Sequence, residues 1–385
     1  MKKSKKVRVD FRRNRNDRTR VGDWTRQYEE HGFEDETESP GERISGKGEI
    51  SRRRTVIGNV VETEEADNHG FEIQPEIDES MVLPGRVLKV HGASSIVQAE
   101  DGRIFQCVTR RILKTLATDQ RQPVVTGDRV LFRPADVTGN ANTPSVGEGM
   151  IERVEPRRGT LSRESKHRKH VIVTNVDQVL IVASADQPAF KPNLIDRMLL
   201  TAEQAGIIPV ICINKVDLVD LAELQPAIGV YARMGYKVLP LSVETGFGLD
   251  RLRRQLEGRE SVVAGQSGVG KSSLLNAVDP ALNLRVSELG TAQKGKHTTT
   301  TSELIRLSFG GYVVDTPGIR QFMLWDIIPA EVLGLFRDLR PYENRCHFPN
   351  CTHSHEEDCA VQNAVAEGRL DLRRYESYLS IRFDS

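Results

Sequence analysis

The chain has 385 residues, a length that allows two or three domains. Its 54 Lys and Arg residues balance 54 Asp and Glu residues, which excludes a uniformly basic or acidic protein. The basic N-terminus is not followed by the apolar segment of a secretory signal, and no stretch approaches the roughly 18 apolar residues that span a bilayer. We therefore expect a cytoplasmic protein without a membrane partner.

Residues 1–80 carry segregated charge. Residues 1–20 hold ten Lys and Arg against two acidic residues, whereas residues 29–42 hold seven acidic residues and no Lys or Arg. Such blocks contain too few apolar side chains to offset the entropy of ordering the chain. We expect a mostly disordered extension, whose basic tip suits either a polyanion such as RNA or a solubilising role with no specific partner.

Residues 82–156 have the pattern of a small β-barrel. Short alternating runs (GRVLKV, SSIVQAE, IFQCVTR, DRVLFRP and MIERVEP) are separated by turns and show almost no helical periodicity. Five strands in about seventy residues fit an OB-fold, and an SH3-like barrel fits nearly as well. Residues 136–148 are rich in Gly, Asn, Thr and Pro, which predicts a long loop between the last strands.

Residues 157–170 are expected to form an exposed linker. They contain six Lys and Arg residues, one Glu and two His residues, so they are too polar for a core. This linker could contact nucleic acid or be exposed to solvent alone, and the sequence does not decide between the two.

Residues 165–325 alternate apolar strands with helices, which predicts a parallel sheet covered on both faces. The strands are expected at VLIVAS, IIPVICIN, KVLPLS, SVVAG and GYVVD, with helices at residues 193–204 and 249–256. This α/β domain carries the nucleotide motifs.

A phosphate-binding loop follows the strand SVVA and precedes the helical run SSLLNAV. Its sequence, GQSGVGKS, matches G-x-x-x-x-G-K-[ST] in the context that the motif requires. Backbone N–H groups and the helix N-terminus would close around phosphate oxygens. Lys271 would reach the β- and γ-phosphates as a catalytic group, and Ser272 would ligate Mg²⁺. The predicted loop consists of Gly265, Gln266, Ser267, Gly268, Val269, Gly270, Lys271, Ser272 and Ser273.

A guanine motif, NKVD, ends the strand at residues 207–214. The Asp217 carboxylate would accept hydrogen bonds from guanine N1–H and the exocyclic amine, a donor pair that adenine lacks. Asn214 would tether neighbouring loops, and the Lys215 stem would cover one face of the base. Ser242 and Val243 end the next strand, where a backbone amide would face guanine O6. These residues predict binding of GTP and GDP.

Two further motifs complete the set. DTPG places Asp315 near the Mg²⁺ shell and Gly318 near the γ-phosphate, and HTTTT lies between the phosphate loop and DTPG. Thr299 or Thr300 would supply a second Mg²⁺ ligand, and spacing does not decide between them. A threonine run before a strand can also reflect β-propensity alone.

The residue after Gly318 is Ile319, where many GTPases have a glutamine that orients the attacking water. His297 is the nearest polar candidate for that catalytic role, and the alternative is that it only shapes its loop.

The motifs occur in a rotated order: NKVD, Ser242-Val243, the phosphate loop, HTTTT and then DTPG. Joining the usual termini and opening the chain after DTPG would produce this order. A fold tolerates such a circular permutation when its original termini lie close together. The segment after DTPG therefore leads directly into residues 326–385.

Residues 326–385 predict a small, helix-rich zinc module. Three of the five cysteines lie within fourteen residues, which argues against a disulfide framework. A structural Zn²⁺ ion, one per monomer, would be held by four protein ligands in a tetrahedral arrangement that leaves no open position, with His347 and His355 as alternative ligands. These four are Cys346, Cys351, His353 and Cys359.

From about residue 83 to the C-terminus the sequence resembles the RsgA (YjeQ) family of circularly permuted, small-ribosomal-subunit biogenesis GTPases. The resemblance lies in NLIDR, NKVD, AGQSGVGKSSLLN, GKHTTT, DTPGIRQFMLW and the cysteine cluster. It implies an OB-fold, a permuted GTPase domain and a zinc module. It also implies late maturation of the small ribosomal subunit, with subunit-stimulated hydrolysis of GTP to GDP and phosphate. His297 and the four zinc ligands carry over as functional residues.

The expected partners are GTP with Mg²⁺, the small ribosomal subunit and its rRNA, and the chain is expected to act as a monomer. Two other functions are open: an RNA-binding module in which GTP is a structural or regulatory ligand, and a metabolic P-loop kinase. The guanine motif argues against the kinase.

Overall fold

The computed structural model describes residues 5–10, 53–62, 71–75, 77–110, 113, 123–135, 146–165, 168–284, 302–315 and 331–383. They divide into two units, Met1–Asp78 and Glu79–Ser385. The second unit contains the barrel, the α/β domain and the cysteine cluster. No helix among these residues is long and apolar enough to cross a membrane.

The first unit contains an antiparallel sheet of three strands: β1 (Lys5–Asp10), β2 (Arg53–Glu62) and β3 (Phe71–Pro75), in the order β1-β2-β3. The charge blocks predict disorder for this segment, and at these three stretches the structure has strands instead. The physical reason is local, because β2 contains the run TVIGNVV, whose β-branched residues favour strands. The rest of the segment lies outside the described residues.

Five strands form the barrel: β4 (Leu83–His91), β5 (Ser94–Ala99), β6 (Ile104–Thr109), β7 (Arg129–Pro134) and β8 (Gly147–Val154). Their order is β4-β5-β6-β8-β7, and pairing of β7 with β4 closes the barrel. The third and fifth strands, β6 and β8, run parallel. This arrangement confirms the OB-like fold over the SH3-like alternative.

Along β5, β6 and β7, buried inward residues alternate with more exposed outward ones, as the period of two requires. Phe105 on β6 and Phe132 on β7 meet in the centre with ring centroids 4.9 Å apart. The predicted loop at residues 136–148 lies outside the described residues up to residue 145, and its last two residues already belong to β8.

The predicted linker forms a β-hairpin. Strands β9 (Leu161–Ser165) and β10 (Arg168–Val173) pair antiparallel, and Leu161 and Val173 are buried in the core of the α/β domain. These two apolar ends anchor the polar stretch to the core, so the expectation of an exposed linker is wrong at Leu161.

The α/β domain is built on the strands β11 (Gln178–Ser184), β12 (Ile208–Asn214), β13 (Lys237–Pro240), β14 (Glu260–Ala264), β15 (Glu303–Arg306) and β16 (Tyr312–Asp315). They lie in the order β13-β12-β11-β14-β16-β15, parallel except for β15. The helices are α1 (Pro192–Gln204), α2 (Leu221–Arg233), α3 (Leu249–Leu256) and α4 (Lys271–Val278). Short 3₁₀ turns cover Glu79–Met81, Val216–Leu218, Pro280–Leu282 and Arg340–Tyr342.

Both faces of this sheet are buried, which confirms the prediction from the unbroken apolar strands. Along β11, Val179 and Ile181 face one apolar cluster, whereas Leu180 and Val182 face the other. Successive side chains of a strand point to opposite faces, so a strand covered on both sides must be apolar throughout.

The C-terminal segment adds three helices, α5 (Val332–Leu335), α6 (Ala360–Ala366) and α7 (Leu372–Phe383). Their apolar cluster includes Leu200 of α1, so this module packs directly on the α/β domain.

The barrel is joined to the same sheet at its other edge. β4 pairs with β15 at Lys89 and Glu303. The sheet therefore connects the barrel, through β15 and β16, to the parallel strands whose carboxyl ends carry the nucleotide motifs.

Candidate nucleotide and metal sites

The phosphate loop joins the end of β14 to the start of α4, as the motif predicts. Gly265 and Gly270 have φ values of +146° and +91°. A Cβ on Gly270 would lie 2.4 Å from Nδ2 of Asn214, and one on Gly265 would lie 2.2 Å from the Val182 carbonyl oxygen. Both positions therefore require glycine, because any side chain would collide with the neighbouring strands.

Lys271 lies in the first turn of α4 and folds back over the loop. Its Nζ donates to the carbonyl oxygens of Gly265 and Gln266, each at 2.8 Å. The ammonium group thus lies directly above the loop and provides positive charge where the backbone N–H groups of the helix N-terminus already favour an anion.

The remaining loop residues divide by burial. Val269 is buried in the core, which fixes the loop to the sheet, whereas Ser267 is exposed at its tip. Ser272 and Ser273 are half-buried in the first turn of α4. Their hydroxyls therefore lie at the helix N-terminus beside Lys271.

Asn214 connects the guanine motif to the phosphate loop. It ends β12, is buried, and its Nδ2 donates to the Val269 carbonyl oxygen at 2.8 Å. Its Oδ1 is buried and makes no hydrogen bond within the described part of the chain. The two motifs are 55 residues apart in sequence, and this contact places them at one edge of the sheet.

Asp217 and Ser242 also meet at this edge. The Ser242 hydroxyl donates to Oδ1 of Asp217 and accepts from the backbone N–H of Thr245 at 3.1 Å. Asp217 is exposed, Ser242 is buried and Val243 is half-buried. A buried hydroxyl therefore orients a carboxylate that faces solvent.

Lys215 adopts a left-handed backbone conformation with φ of +61°, and its Nζ donates to the carbonyl oxygen of Gln187. Gln187 belongs to the connection between β11 and α1, which the sequence motifs did not identify. Its contribution is a backbone carbonyl, and a carbonyl leaves no signal in the sequence.

Asp315 ends β16, next to the strand that leads into the phosphate loop. Val262 of β14 pairs with Val314 of β16, so both strands end at the same edge. The other members of the predicted site, His297, Thr299, Thr300 and Gly318, lie outside the described residues, as does Ile319.

The predicted metal ligands converge. The ligand atoms of Cys346, Cys351, His353 and Cys359 all lie within 4.8 Å of one another. Nδ1 of His353 is 3.3 Å from Sγ of Cys346 and 3.5 Å from Sγ of Cys359, and these two sulfurs are 3.9 Å apart. With Zn–S bonds of about 2.3 Å, a tetrahedral site requires sulfurs about 3.8 Å apart, so the cluster fits zinc.

His353 is the histidine of this cluster, rather than His347 or His355. His347 is exposed and contacts the Phe348 ring, and His355 is exposed beside the Ser354 hydroxyl. Burial lowers the pKa of His353, which keeps its imidazole neutral and its lone pair available to a metal. Burial also raises the pKa of Cys359, so binding a cation there would release a proton.

Two tyrosines of α7 hold the ligand loop. Tyr375 donates to the carbonyl oxygen of His353 at 2.7 Å, and Tyr378 donates to that of Thr352 at 2.9 Å. The backbone N–H of Ala360 points at Sγ of Cys346, at 3.3 Å. The helices of the module therefore orient the metal ligands.

Arg374 on α7 fastens the module to α1. Its guanidinium bonds to Asp196 of α1 and to both carboxylate oxygens of Asp338, at 3.0 and 3.1 Å, and lies 4.5 Å from the Phe336 ring centre. Tyr231 donates to the same Asp196 carboxylate at 3.0 Å. Sequence reasoning missed this joint, because a charged residue in an amphipathic helix is ordinarily exposed.

Comparisons with known proteins agree with this architecture. The family model described as RsgA GTPase matches residues 154–325. The small ribosomal subunit biogenesis GTPase RsgA of Chlorobaculum parvum is 38% identical over 308 residues, covering 78% of this chain and 97% of that relative. The protein of the same name from Sodalis glossinidius is 38% identical, covering 78% of this chain and 85% of that relative.

Two solved structures are similar. YjeQ from Thermotoga maritima matches with a TM-score of 0.64 and 34% identity, covering 79% of this chain and 98% of that one. YloQ, a circularly permuted GTPase, matches with a TM-score of 0.61 and 29% identity, covering 80% and 97%. The identity and the coverage of the relatives, together with the rotated motif order and the OB-like barrel, decide the assignment. The chain belongs to the RsgA family of small ribosomal subunit biogenesis GTPases and hydrolyses GTP.

Proposed function

We propose that this protein binds the small ribosomal subunit, assists its late maturation, and hydrolyses GTP to GDP and phosphate at a rate that the subunit raises. The observation that carries the proposal is the joining of an OB-like barrel and a nucleotide edge in one continuous sheet. The names of the relatives, small ribosomal subunit biogenesis GTPases, support the choice of partner.

We infer that the nucleotide lies along the carboxyl edge of β12, β11 and β14. Asp217 selects guanine by accepting from N1–H and the exocyclic amine, and Ser242 holds that carboxylate in place. Asn214 fixes the distance between the base and the phosphate loop through its bond to Val269. This arrangement disfavours the kinase alternative, because adenine offers Asp217 no donor pair.

On the phosphate side, Lys271 exchanges its two carbonyl contacts for phosphate oxygens when GTP binds. Ser272 and Asp315 offer hard oxygen ligands of the kind that Mg²⁺ prefers, and Thr299 or Thr300 adds another. When bound, Mg²⁺ neutralises charge that develops on the phosphates. The proposed role of Gly318 is a backbone N–H directed at the γ-phosphate.

The water that attacks the γ-phosphate needs a polar group to orient it, and Ile319 cannot supply one. We propose His297 for that role. In the His297→Ala variant, single-turnover hydrolysis should fall about a hundred-fold, within the range for a lost general base, while GDP affinity stays constant. An unchanged rate would assign His297 to shaping the loop instead.

In the C-terminal module we propose a structural Zn²⁺ ion bound by Cys346, Cys351, His353 and Cys359. The ligand set is closed, so the ion would fold the module and would not take part in hydrolysis. The module and the barrel would contact rRNA, since OB-folds bind oligonucleotides on an exposed sheet face.

The direct test measures GTP turnover by the full chain with and without purified small subunits. Stimulation should appear with small subunits and be absent with large subunits, which serve as the matched control. Co-sedimentation should be retained with a non-hydrolysable GTP analogue and lost with GDP. Equal turnover with and without small subunits, together with equal sedimentation in both nucleotides, would overturn the proposal.

A further inference from the structure

The amino end of α1 is held by a buried tyrosine of α2. Tyr231 is 2% exposed, and its hydroxyl donates to Oδ1 of Asp196 at 3.0 Å. The same hydroxyl oxygen lies 3.3 Å from the carbonyl oxygen of Pro192, the first residue of α1. Burial and the nearby Asp196 carboxylate raise the pKa of Tyr231, so the hydroxyl keeps its proton and remains a donor. Lys191, at the N-cap position, makes no side-chain capping bond, so this end of α1 is held from α2.

The connection that precedes α1 is bound to the guanine motif. Residues 185–191 join β11 to α1. The backbone N–H of Ala185 donates to the carbonyl oxygen of Asn214 at 2.8 Å, and the carbonyl oxygen of Gln187 accepts from Nζ of Lys215. The connection therefore contacts the first two residues of the guanine motif.

Lys215 is fixed at both ends of its side chain. Its backbone has φ of +61°, a left-handed conformation that residues other than glycine seldom adopt, and the next N–H, that of Val216, donates to the Leu241 carbonyl oxygen at 3.2 Å. Its Nζ is bound at the Gln187 carbonyl. The direction of the aliphatic stem, two residues before Asp217, therefore depends on where Gln187 lies.

These contacts form a closed circuit through described parts of the chain. The guanine motif leads into α2, α2 holds α1 through Tyr231, and the connection before α1 returns to the motif through Gln187. Only residues 188–191 separate Gln187 from Pro192, and proline at positions 188 and 192 restricts φ there. A shift of the amino end of α1 is therefore passed to the Gln187 carbonyl.

The C-terminal module binds the same point. Arg374 of α7 bonds to Oδ1 of Asp196, the atom that also accepts from Tyr231. Ser377, one turn further along α7, donates to Oδ1 of Asn193 in the first turn of α1 at 2.7 Å. Asp196 is 1% exposed and is therefore a buried carboxylate at which α7, α1 and α2 meet.

We propose that Tyr231 and Asp196 are positioning residues for the guanine nucleotide. They hold the amino end of α1 so that the Gln187 carbonyl directs the Lys215 stem against the base. This inference rests on the nucleotide site proposed above and on the role that the sequence predicts for Lys215. It adds regulation to that site, because a partner that moves the C-terminal module moves Arg374 and so changes the affinity for guanine nucleotides.

A second buried tyrosine provides a matched comparison. Tyr236 is 5% exposed, and its hydroxyl bonds to Glu203 in the last turn of α1. Tyr231 and Tyr236 thus each bond to a carboxylate of the same helix, at opposite ends. The end that Tyr236 holds leads to the start of β12, whereas the guanine motif follows the end of that strand.

Replacing either tyrosine by phenylalanine removes one hydroxyl and keeps the ring. A hydrogen bond to a charged group shifts an equilibrium by roughly ten-fold or more. In Tyr231→Phe the Asp196 carboxylate keeps its bond to Arg374, which holds α1 in part. We therefore take about five-fold as the expected change in nucleotide affinity.

The experiment compares Tyr231→Phe with Tyr236→Phe in the full chain, each alone and combined with Lys215→Met. Methionine keeps an apolar stem beside the base but cannot donate to the Gln187 carbonyl. Dissociation constants are measured for fluorescent GDP and, by competition, for inorganic tripolyphosphate, which occupies the phosphate loop without a base. Thermal melts report the stability of each variant.

Tyr231→Phe should raise the dissociation constant of GDP about five-fold, while that of tripolyphosphate stays within about two-fold of the wild type. Tyr236→Phe should leave both constants within about two-fold, although it lowers the melting temperature by a similar amount. In the Lys215→Met background, Tyr231→Phe should cause no further loss of GDP affinity, because the contact that it positions is already gone.

Three results would overturn the proposal. The first is equal GDP affinity in Tyr231→Phe and Tyr236→Phe. The second is an equal loss from Tyr231→Phe in the wild-type and Lys215→Met backgrounds, which would show that the tyrosine acts on the whole fold. The third is a fall in tripolyphosphate affinity as large as the fall in GDP affinity.

The Lys215→Met variant alone separates this inference from its basis. If it binds GDP as tightly as the wild type, the role of Lys215 is wrong and the inference falls with it. If it weakens GDP binding and Tyr231→Phe does not, only the positioning role is refuted. Absence of stimulation by small subunits, together with weakened GDP binding in Tyr231→Phe, would refute the ribosomal role and leave this inference intact.

Discussion

Replacing Arg374 by methionine should release the C-terminal module from α1. Arg374 is 2% exposed, and its partners Asp196 and Asp338 are 1% and 15% exposed. Methionine keeps about the aliphatic length of the side chain, but it removes the charge, all the hydrogen bonds and the contact of the guanidinium with the Phe336 ring. The substitution therefore isolates the polar joint from the packing around it.

The magnitude follows from what remains behind. Removing one member of a buried ion pair costs about 3–5 kcal/mol, because the partner charge stays buried without compensation. Here Asp196 keeps the hydroxyl of Tyr231, which offsets part of the loss, so we take the lower figure. At about 1.4 kcal/mol per factor of ten, the opening equilibrium between α7 and α1 should rise by roughly two orders of magnitude.

Native-state hydrogen exchange measures that opening. Amides of α7 and of the first turns of α1 should exchange about a hundred-fold faster in Arg374→Met, whereas those of β5 in the barrel should not change. Arg373→Met is the matched control, because Arg373 is 41% exposed on the same helix and pairs only with Asp371 among the described carboxylates.

Two results would refute the reasoning. The first is equal exchange in Arg374→Met and Arg373→Met. The second concerns the double variant Asp196→Asn/Arg374→Met, which should recover much of the loss because the unpaired carboxylate is gone. Burial raises the pKa of Asp196, so the defect of Arg374→Met should also shrink as the pH falls from 8 to 5, and a defect that grew instead would contradict the mechanism.

Three other predictions follow from single groups. Burial raises the pKa of Glu260 from 4.5 to about 7, so the folded protein favours the protonated carboxyl and loses stability as the pH rises through 7. The free energy of unfolding of the wild type should fall by on the order of 3 kcal/mol between pH 4.5 and 8. That of Glu260→Gln should not fall in this way, and thermal melts at both pH values will show the difference. Chelation of the zinc ion that we propose for the cysteine cluster, or Cys359→Ser, should abolish the cooperative melting and helical circular dichroism of the C-terminal module while fluorescent GDP still binds. Asp217→Asn should weaken GTP binding about a hundred-fold. The variant should instead favour xanthosine triphosphate, whose ring carries an oxygen in place of the exocyclic amine. Competition against fluorescent GDP will measure both affinities.

The strand–loop–helix context of the phosphate loop and the grouping of Cys346, Cys351, His353 and Cys359 could be predicted, because their chemistry fixes both residue type and spacing. The phosphate loop requires glycine at residues 265 and 270, because a Cβ at Gly265 would collide with backbone and one at Gly270 would collide with Asn214. A tetrahedral zinc site needs four sulfur or nitrogen ligands, and the sequence offers few sets of Cys and His residues close enough to supply them. The unbroken apolar strand at β11 likewise announces a sheet buried on both faces.

The contacts between domains could not be predicted in the same way. The joint at Arg374 depends on which face of α7 packs on α1, and nothing in the helix sequence distinguishes a buried arginine from the exposed Arg373 beside it. The barrel joins the α/β domain through the Thr126 hydroxyl, which donates to the carbonyl oxygen of Ser302, and a backbone carbonyl is chemically identical at every residue. The hairpin of β9 and β10 was not expected because its sequence is highly charged, although Leu161, Val173 and the half-buried Ile172 at its ends reach the core.

The joint at Arg374 connects the C-terminal module to the guanine motif indirectly, through α1. The C-terminal module holds α1 through Asp196, and the connection preceding α1 supplies the Gln187 carbonyl that receives Lys215 of the guanine motif. We therefore expect a ligand that displaces the C-terminal module to act first on the affinity for the guanine nucleotide.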